Sequence, residues 1–328
     1  MSAAVLGKLL AIIVTVALGW LAGRLRWLGD AQADPARILG NAAFYIFVPA
    51  LLFRTTARVD LAALPTGLLA AYFVPTLALL LGVYGMQHLR QRHRSGAEPA
   101  LPAVRAISAG YGNAVQMGIP MSAAMFGEAG LGLHLMLVSV HGLILLSVLT
   151  ALVEMDLARD KARQMQGSKL WHMLRSTLRN TIVHPVVLPV LLGLSWNLLG
   201  LGLPSVVDEV LQLLGSAVVP LCLVLIGLSL AYYGLQGSMR GALGVSLLKL
   251  LALPALVLVV AHWGFGLAGL PLSVLVMLAA LPVGSNALIF AQRYKTVPAE
   301  ATAAIVFSTL AFVLTAPLWL AVLGWLGA

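Results

Sequence analysis

A chain of 328 residues that is 61% hydrophobic and only 9% charged, with a mean hydropathy of +0.99, is not a water-soluble globule. Soluble domains carry about a quarter charged residues, so the solvent for this chain is lipid. Its net charge of +9 lies in short clusters between apolar runs, which excludes the continuous basic stripe of a nucleic-acid binder, and the single cysteine, Cys222, excludes an internal disulfide or a multi-thiolate metal site.

Apolar runs of about 20 residues cross roughly 30 Å of hydrocarbon at about 1.5 Å per residue. The first runs from about Val5 to Gly23. Lys8 before the apolar Leu9–Ala22 stretch imitates a secretory signal, but no small-x-small site follows, and Arg24 and Arg26 form a stop-transfer flank. It is expected to be a retained span. The second span covers Ala36–Phe53, the third Leu61–Met86, the fourth Leu101–Phe126 and the fifth Leu131–Val153. A polar segment from Glu154 to Arg179 mixes both charge signs and is expected to be an exposed amphipathic linker. Five further spans follow at Ile182–Leu199, Pro204–Leu230, Gly241–Phe265, Pro271–Ala291 and Ala299–Leu326. The expected organisation is thus a five-helix unit over residues 1–154, a linker over 155–180, and a second five-helix unit over 181–328.

Arg24, Arg26 and Arg37 lie around the first loop, Arg90, Arg92, Arg94 and Arg105 around the third, and Arg159 to Arg179 in the fifth. Arg240 marks the seventh, and Arg293 and Lys295 the ninth, whereas the opposite face has only Lys8, Arg54 and Arg58. Positive charge stays in the cytoplasm, so the odd-numbered loops are expected there and both termini outside, in the periplasm. Five spans per half would then make the second half run opposite to the first.

The halves carry matching signposts. Asn113 in the fourth span and Asn286 in the ninth are 173 residues apart, Pro49 and Pro220 are 171 apart, and Glu128 and Glu300 are 172 apart. Three pairs at nearly one offset, each in the corresponding span, point to an inverted repeat. Both the fourth and ninth spans are interrupted: Gly110-Tyr111-Gly112-Asn113 through Gly118-Ile119-Pro120, and Pro282-Val283-Gly284-Ser285-Asn286. Proline removes a backbone donor and clashes with the preceding turn, and glycine loosens the same stretch. Unwound backbone at membrane depth survives only where protein or a wet cavity covers it. Gly118, Pro120, Pro282 and Gly284 are therefore the expected helix breakers. Gly112, Asn113, Gln116, Ser285 and Asn286 are the expected lining of a binding site, with half-helix N-termini suited to an anion.

Asn41 through Phe53, Gly112-Asn113 through Gly118-Ile119-Pro120 and on to Gly130, Val219-Pro220 through Gly227, and Leu281-Pro282 through Asn286-Ala287 together resemble the signatures of the auxin efflux carrier family, in its order and over nearly the whole chain. That resemblance implies an all-α membrane protein of ten spans, with broken helices four and nine crossing around a central site as in sodium/proton antiporters and bile-acid symporters. It also implies a dimerising scaffold of spans one, two, six and seven, and an elevator-like moving unit made of the rest. Bacterial-looking members are described as carriers of malonate-like or other organic acids, and the plant members export the indole carboxylate auxin. The long central loop of many plant members is missing here.

Lys249 falls about nine residues, roughly 13 Å, inside the edge marked by Arg240, a costly depth for a cation unless a cavity or partner receives it. It is expected to offset substrate charge near the crossing or to titrate during transport, the alternative being that it snorkels to the interface. Glu128 and Glu300 open helices, where a carboxylate favours the dipole, so capping is expected before proton carriage. His134 and His141 share a face of the fifth span without companion ligands and are expected to be packing residues; His88, His93 and His172 lie in loops, His184 opens the sixth span and His262 is near a membrane edge. No catalytic pair, metal set, cofactor motif or Walker loop is legible, so neither an enzyme nor an ATP-driven pump is expected. The expectation is a secondary carrier of small carboxylates in the cytoplasmic (inner) membrane, an exporter and a homodimer. The alternatives are a proton- or sodium-coupled carrier of the same build, disfavoured because neither break holds an acid, and, more remotely, a receptor or intramembrane enzyme.

Overall fold

A computed structural model describes residues 3–30, 33–58, 65–91, 98–115, 117–164, 185, 187–233 and 239–327. Among these residues the regular secondary structure is helical, apart from one isolated β-bridge. Eleven helices stand among the described residues. They are α1 (Ala3–Arg24), α2 (Pro35–Arg58), α3 (Thr66–Gln91), α4 (Leu101–Gly110), α5 (Gly118–Gln164), α6 (Val187–Leu198), α7 (Ser205–Tyr233), α8 (Met239–Gly264), α9 (Gly269–Ala280), α10 (Asn286–Arg293) and α11 (Pro298–Trp325). Six stretches are long and apolar enough to cross a membrane, within α2, α3, α5, α7, α8 and α11. The fourth span is divided between α4 and the start of α5, and the ninth between α9 and α10. The chain is a multi-pass membrane protein.

Local chemistry explains the irregular turns. A π-turn over Ala43–Phe47 precedes Pro49, and another over Leu248–Ala252 precedes Pro254. A proline ring clashes with the carbonyl four residues back and leaves it without a donor; a widened turn accommodates both. α5 kinks at Gly127, whose φ of 63° a glycine tolerates at no steric cost, so the end of the fourth span and the whole fifth span form one bent helix.

Helices pack through small residues where backbones approach closely, as expected when lipid supplies no hydrophobic drive. A Cβ on Gly23 of α1 would come within 2.7 Å of Ala231 in α7, and one on Gly227 within 2.5 Å of the Trp20 amide. Gly193 of α6 allows the same approach to Phe53 and Thr56 of α2. α3 packs on α4, and α8 on α9 and α11.

Polar contacts sort the helix ends. The Tyr232 hydroxyl of α7 donates to the Gly29 carbonyl, and Tyr84 and His88 of α3 meet Asp156 of α5 at 2.9 and 3.0 Å. The Tyr294 hydroxyl approaches Glu154, and Arg105 at the start of α4 pairs with Glu300 at the start of α11. All of these belong to the ends joined by odd-numbered loops, which therefore share one basic end of the molecule. Arg54 and Arg58 of α2 bind Asp208 of α7 at 2.8 and 2.7 Å at the other end.

One expectation is corrected. The polar segment after Val153 does not leave the helix at once: α5 continues to Gln164, with Asp156 buried under Tyr84 and His88, because partners on α3 satisfy its carboxylate. Most of the expected linker, residues 165–180, lies outside the described residues, as do His93, His172 and His184. Arg105, within the expected fourth span, is a half-buried residue of α4, held by Glu300 and by the Gln87 side chain at 3.0 Å.

Candidate functional site

The two interruptions meet. α4 ends at Gly110 and the chain runs extended through Tyr111; α9 ends at Ala280 and the chain runs extended through Leu281. Gly112 and Val283 then form an antiparallel bridge. The Asn113 amide donates to the Pro282 carbonyl at 2.9 Å, and the Gly284 amide to the Tyr111 carbonyl at 2.9 Å. Each break thus satisfies backbone groups that the other exposes, which makes unwound chain tolerable at this depth. The approach depends on glycine: a Cβ on Gly284 would lie 2.8 Å from the Gly112 carbonyl oxygen and 2.9 Å from the Tyr111 ring.

Three side chains from neighbouring helices take up further released groups. Lys249 of α8, fully buried, donates from Nζ to the Ala279 carbonyl in the last turn of α9, the negative end of that half-helix. Ser308 of α11 accepts from the Val283 amide at 3.0 Å and donates to the Ile305 carbonyl. His134 of α5 places Nε2 2.8 Å from the Ala114 carbonyl, and Gly118 leaves room for its ring: a Cβ there would lie 2.6 Å from that nitrogen.

What remains free faces α2 and α7. The Tyr111 hydroxyl lies near the Asn286 side chain, and Ser285 near the Cys222 thiol of α7. Leu52 of α2 and the Tyr111 hydroxyl both border Gly142 of α5. At the N-terminus of α10 the Ala287 amide turns back to Gly284 and the Leu288 amide to Ser285, whereas among the described residues the Ser285 and Asn286 amides donate to no backbone carbonyl. Free amides at a helix start, with a half-buried Asn side chain beside them, can hold an oxyanion.

The structure therefore brings together Gly112, Asn113, Ser285, Asn286 and Lys249, with Gly118, Pro282 and Gly284 at the turns. Gln116 lies outside the described residues. Pro120 does not make its break: the interruption precedes it, and Pro120 stands in the first turn of α5, where a missing amide hydrogen costs nothing. Lys249 lies at the crossing, as expected of a buried cation, but its ammonium is engaged by a helix end. Glu128 and Glu300 part company. Glu128 is exposed beyond the Gly127 kink, while Glu300, in the first turn of α11, makes a buried two-point pair with Arg105 at 2.7 and 2.8 Å. His134 is more than packing, and His141 packs its ring 4.6 Å from that of Tyr111. Sequence reasoning missed Tyr111 and Ser308. Tyr111 carried a signal, a tyrosine between two glycines inside the break; Ser308 carried none.

A family described as membrane transport protein matches residues 4–320 of the chain. An uncharacterized transporter of Methanothermobacter thermautotrophicus is 27% identical over 326 residues, which span 96% of this chain and 97% of that protein. The uncharacterized transporter YfdV of Escherichia coli K12 is 26% identical over 321 residues, 96% of each chain.

Proposed function

The chain belongs to the membrane transport protein family, the auxin efflux carriers that its motifs resemble, and from that premise we propose that it is a secondary carrier of small organic anions, chiefly carboxylates. The observation that carries this reading is the junction of two interrupted spans, where the Ser285 and Asn286 amides are left unclaimed beside the Asn286 side chain. A carboxylate there meets the positive end of α10 and backbone donors that no acceptor uses among the described residues. Asn113, buried on the facing break, supplies the second amide, and the Lys249 amine stands behind Gly112, where a Cβ would lie 3.3 Å from its Nζ.

The reading extends to architecture. An inverted repeat requires the first span to meet the seventh as the sixth meets the second, and α1 packs on α7 while α6 packs on α2. It likewise requires the third and fourth spans to pair as the eighth and ninth do, and α3 lies on α4 while α8 lies on α9. On this basis α1, α2, α6 and α7 form a scaffold, which dimerises, and the remaining helices form a unit that carries the anion past it in the cytoplasmic membrane. An inside-negative potential drives an anion outward, so export is the favoured direction.

Asn113→Ala combined with Asn286→Ala tests the site. Loss of two hydrogen bonds to a charged ligand, about 1.5–3 kcal/mol each, predicts a rise in KM of tenfold or more for carboxylate uptake into proteoliposomes. Saturable uptake that is unchanged in a folded double variant would remove both asparagines from the site.

A further inference from the structure

The basic end of the crossing meets α2 through a contact of a cation with two aromatic rings. Arg293, the last residue of α10, lays its guanidinium 5.4 Å from the Phe44 ring centre and 5.1 Å from that of Tyr45. Phe290, one turn earlier, meets Phe44 edge-on at 6.5 Å. Gln292 packs on Gly40, so closely that a Cβ added to Gly40 would stand 3.7 Å from the Gln292 Cβ. The Arg293 Nε is buried and has no hydrogen-bond partner among the described residues, so aromatic faces rather than acceptors receive that edge of the cation. Between Ile289 and Gln292 the helix is almost entirely covered. Residues on the other side of the crossing are less covered. Val115, just past the break of the fourth span, is 41% exposed, and Gly127–Ala129 at the far end of that half-helix are exposed as well.

We propose that the α10–α2 contact, with Arg293 clasped by Phe44 and Tyr45, is a closed gate on the basic side of the carrier, and that it separates each time the crossing opens toward that side. This rests on the carrier reading given above. The residue types suit a contact made and broken repeatedly. A cation resting on rings has no directional partner to lose, so release leaves no unpaired acceptor inside the protein. Arginine at the end of α10 stands where, once freed, it reaches interfacial water. Gly40 admits the closed state because it has no side chain to obstruct Gln292. The π-turn at Ala43–Phe47 presents Phe44 and Tyr45, successive residues, to the same guanidinium.

The doubly substituted Gly40→Cys, Gln292→Cys protein in proteoliposomes tests this. The Cβ separation falls within the roughly 3.5–4.5 Å of a disulfide, and replacing glutamine removes the amide that a side chain at position 40 would strike. Oxidation is expected to cross-link the pair within the chain and to lower flux of benzoate and malonate at least tenfold, with recovery on reduction. Cross-linking without loss of flux would overturn the gate, as would two reactive thiols that fail to join. Arg293→Ala gives a readout independent of any substrate. Amide hydrogen exchange over residues 286–293 and 38–47 is expected to rise at least threefold, and Arg293→Lys to restore much of the protection; exchange unchanged in Arg293→Ala would overturn the clasp. A wild-type protein that carries no carboxylate at all would instead defeat the functional reading, leaving the exchange result to stand.

Discussion

At the scale of single residues, the crossing is governed by who satisfies each released backbone group. Lys249 serves the Ala279 carbonyl and Ser308 the Val283 amide, from two different helices. An orphaned buried group costs about 1–3 kcal/mol. Ser308→Ala should therefore lower the melting temperature of the purified protein by several degrees, whereas Ser308→Thr, which keeps the hydroxyl, should lower it less. Equal effects from the two would show that the hydroxyl bond to Val283 contributes nothing. Lys249→Met removes the amine that donates to α9 and stands behind Gly112. Carboxylate flux is expected to fall at least tenfold, and flux near the wild-type level would take the lysine out of the anion's field. Because the ammonium already occupies the negative end of α9, replacing sodium by choline should leave wild-type flux unchanged, and a sodium requirement seen in liposomes would contradict this.

At the scale of helices, close approach is written in glycine. Gly284 faces the Gly112 carbonyl and the Tyr111 ring with no room for a methyl group. Gly284→Ala must push the breaks apart, and the loss of the paired bonds between Asn113 and Pro282 and between Gly284 and Tyr111 should appear as lost saturable binding before lost folding. Thermal-shift titration with a carboxylate measures both at once: the melting temperature without ligand should fall modestly and the ligand-induced rise should vanish. A full ligand-induced rise in Gly284→Ala would mean that the bridge does not shape the site. The proline positions were legible as kinks, but their consequence was not. α2 and α8 absorb their prolines as π-turns and stay continuous, while α4 and α9 end altogether, because there the extended strands of the opposite half supply the missing partners.

At the scale of the whole molecule, buried polar contacts bind α3, α4, α5, α8, α9, α10 and α11 to one another. Arg105 joins α4 to α11 and to Gln87 of α3, Tyr84 joins α3 to Asp156 of α5, and Lys249 joins α8 to α9. Between this group and α2 or α7 the described contacts are fewer and softer, such as Arg293 on aromatic rings and Ser285 on a thiol. A unit rigid within itself and loosely held to its neighbour is what an elevator motion needs. Removing Glu300 leaves the half-buried Arg105 guanidinium with the Gln87 side chain but without its carboxylate, at a cost of about 1–3 kcal/mol. Glu300→Ala is expected to cost more thermal stability than the paired replacement Arg105→Met, Glu300→Met. The reverse order would mean that the pair holds the unit together less than its burial suggests.

The amino-acid sequence alone determined the solvent, the order of apolar stretches, the two places where they break, and the asparagines and glycines at those places. Each of these follows from composition or from the local cost of proline and glycine in a helix. Only the tertiary structure decided which groups meet there: that Tyr111 faces Asn286, that Ser308 and His134 support the breaks, that Arg105 belongs to Glu300, and that Arg293 lies across Phe44 and Tyr45. These pairings join residues 20 to 249 positions apart in the chain. A serine or a histidine in an apolar run reads the same whether it braces a broken helix or merely bonds its own preceding turn, and only the packing of neighbouring helices tells the two apart.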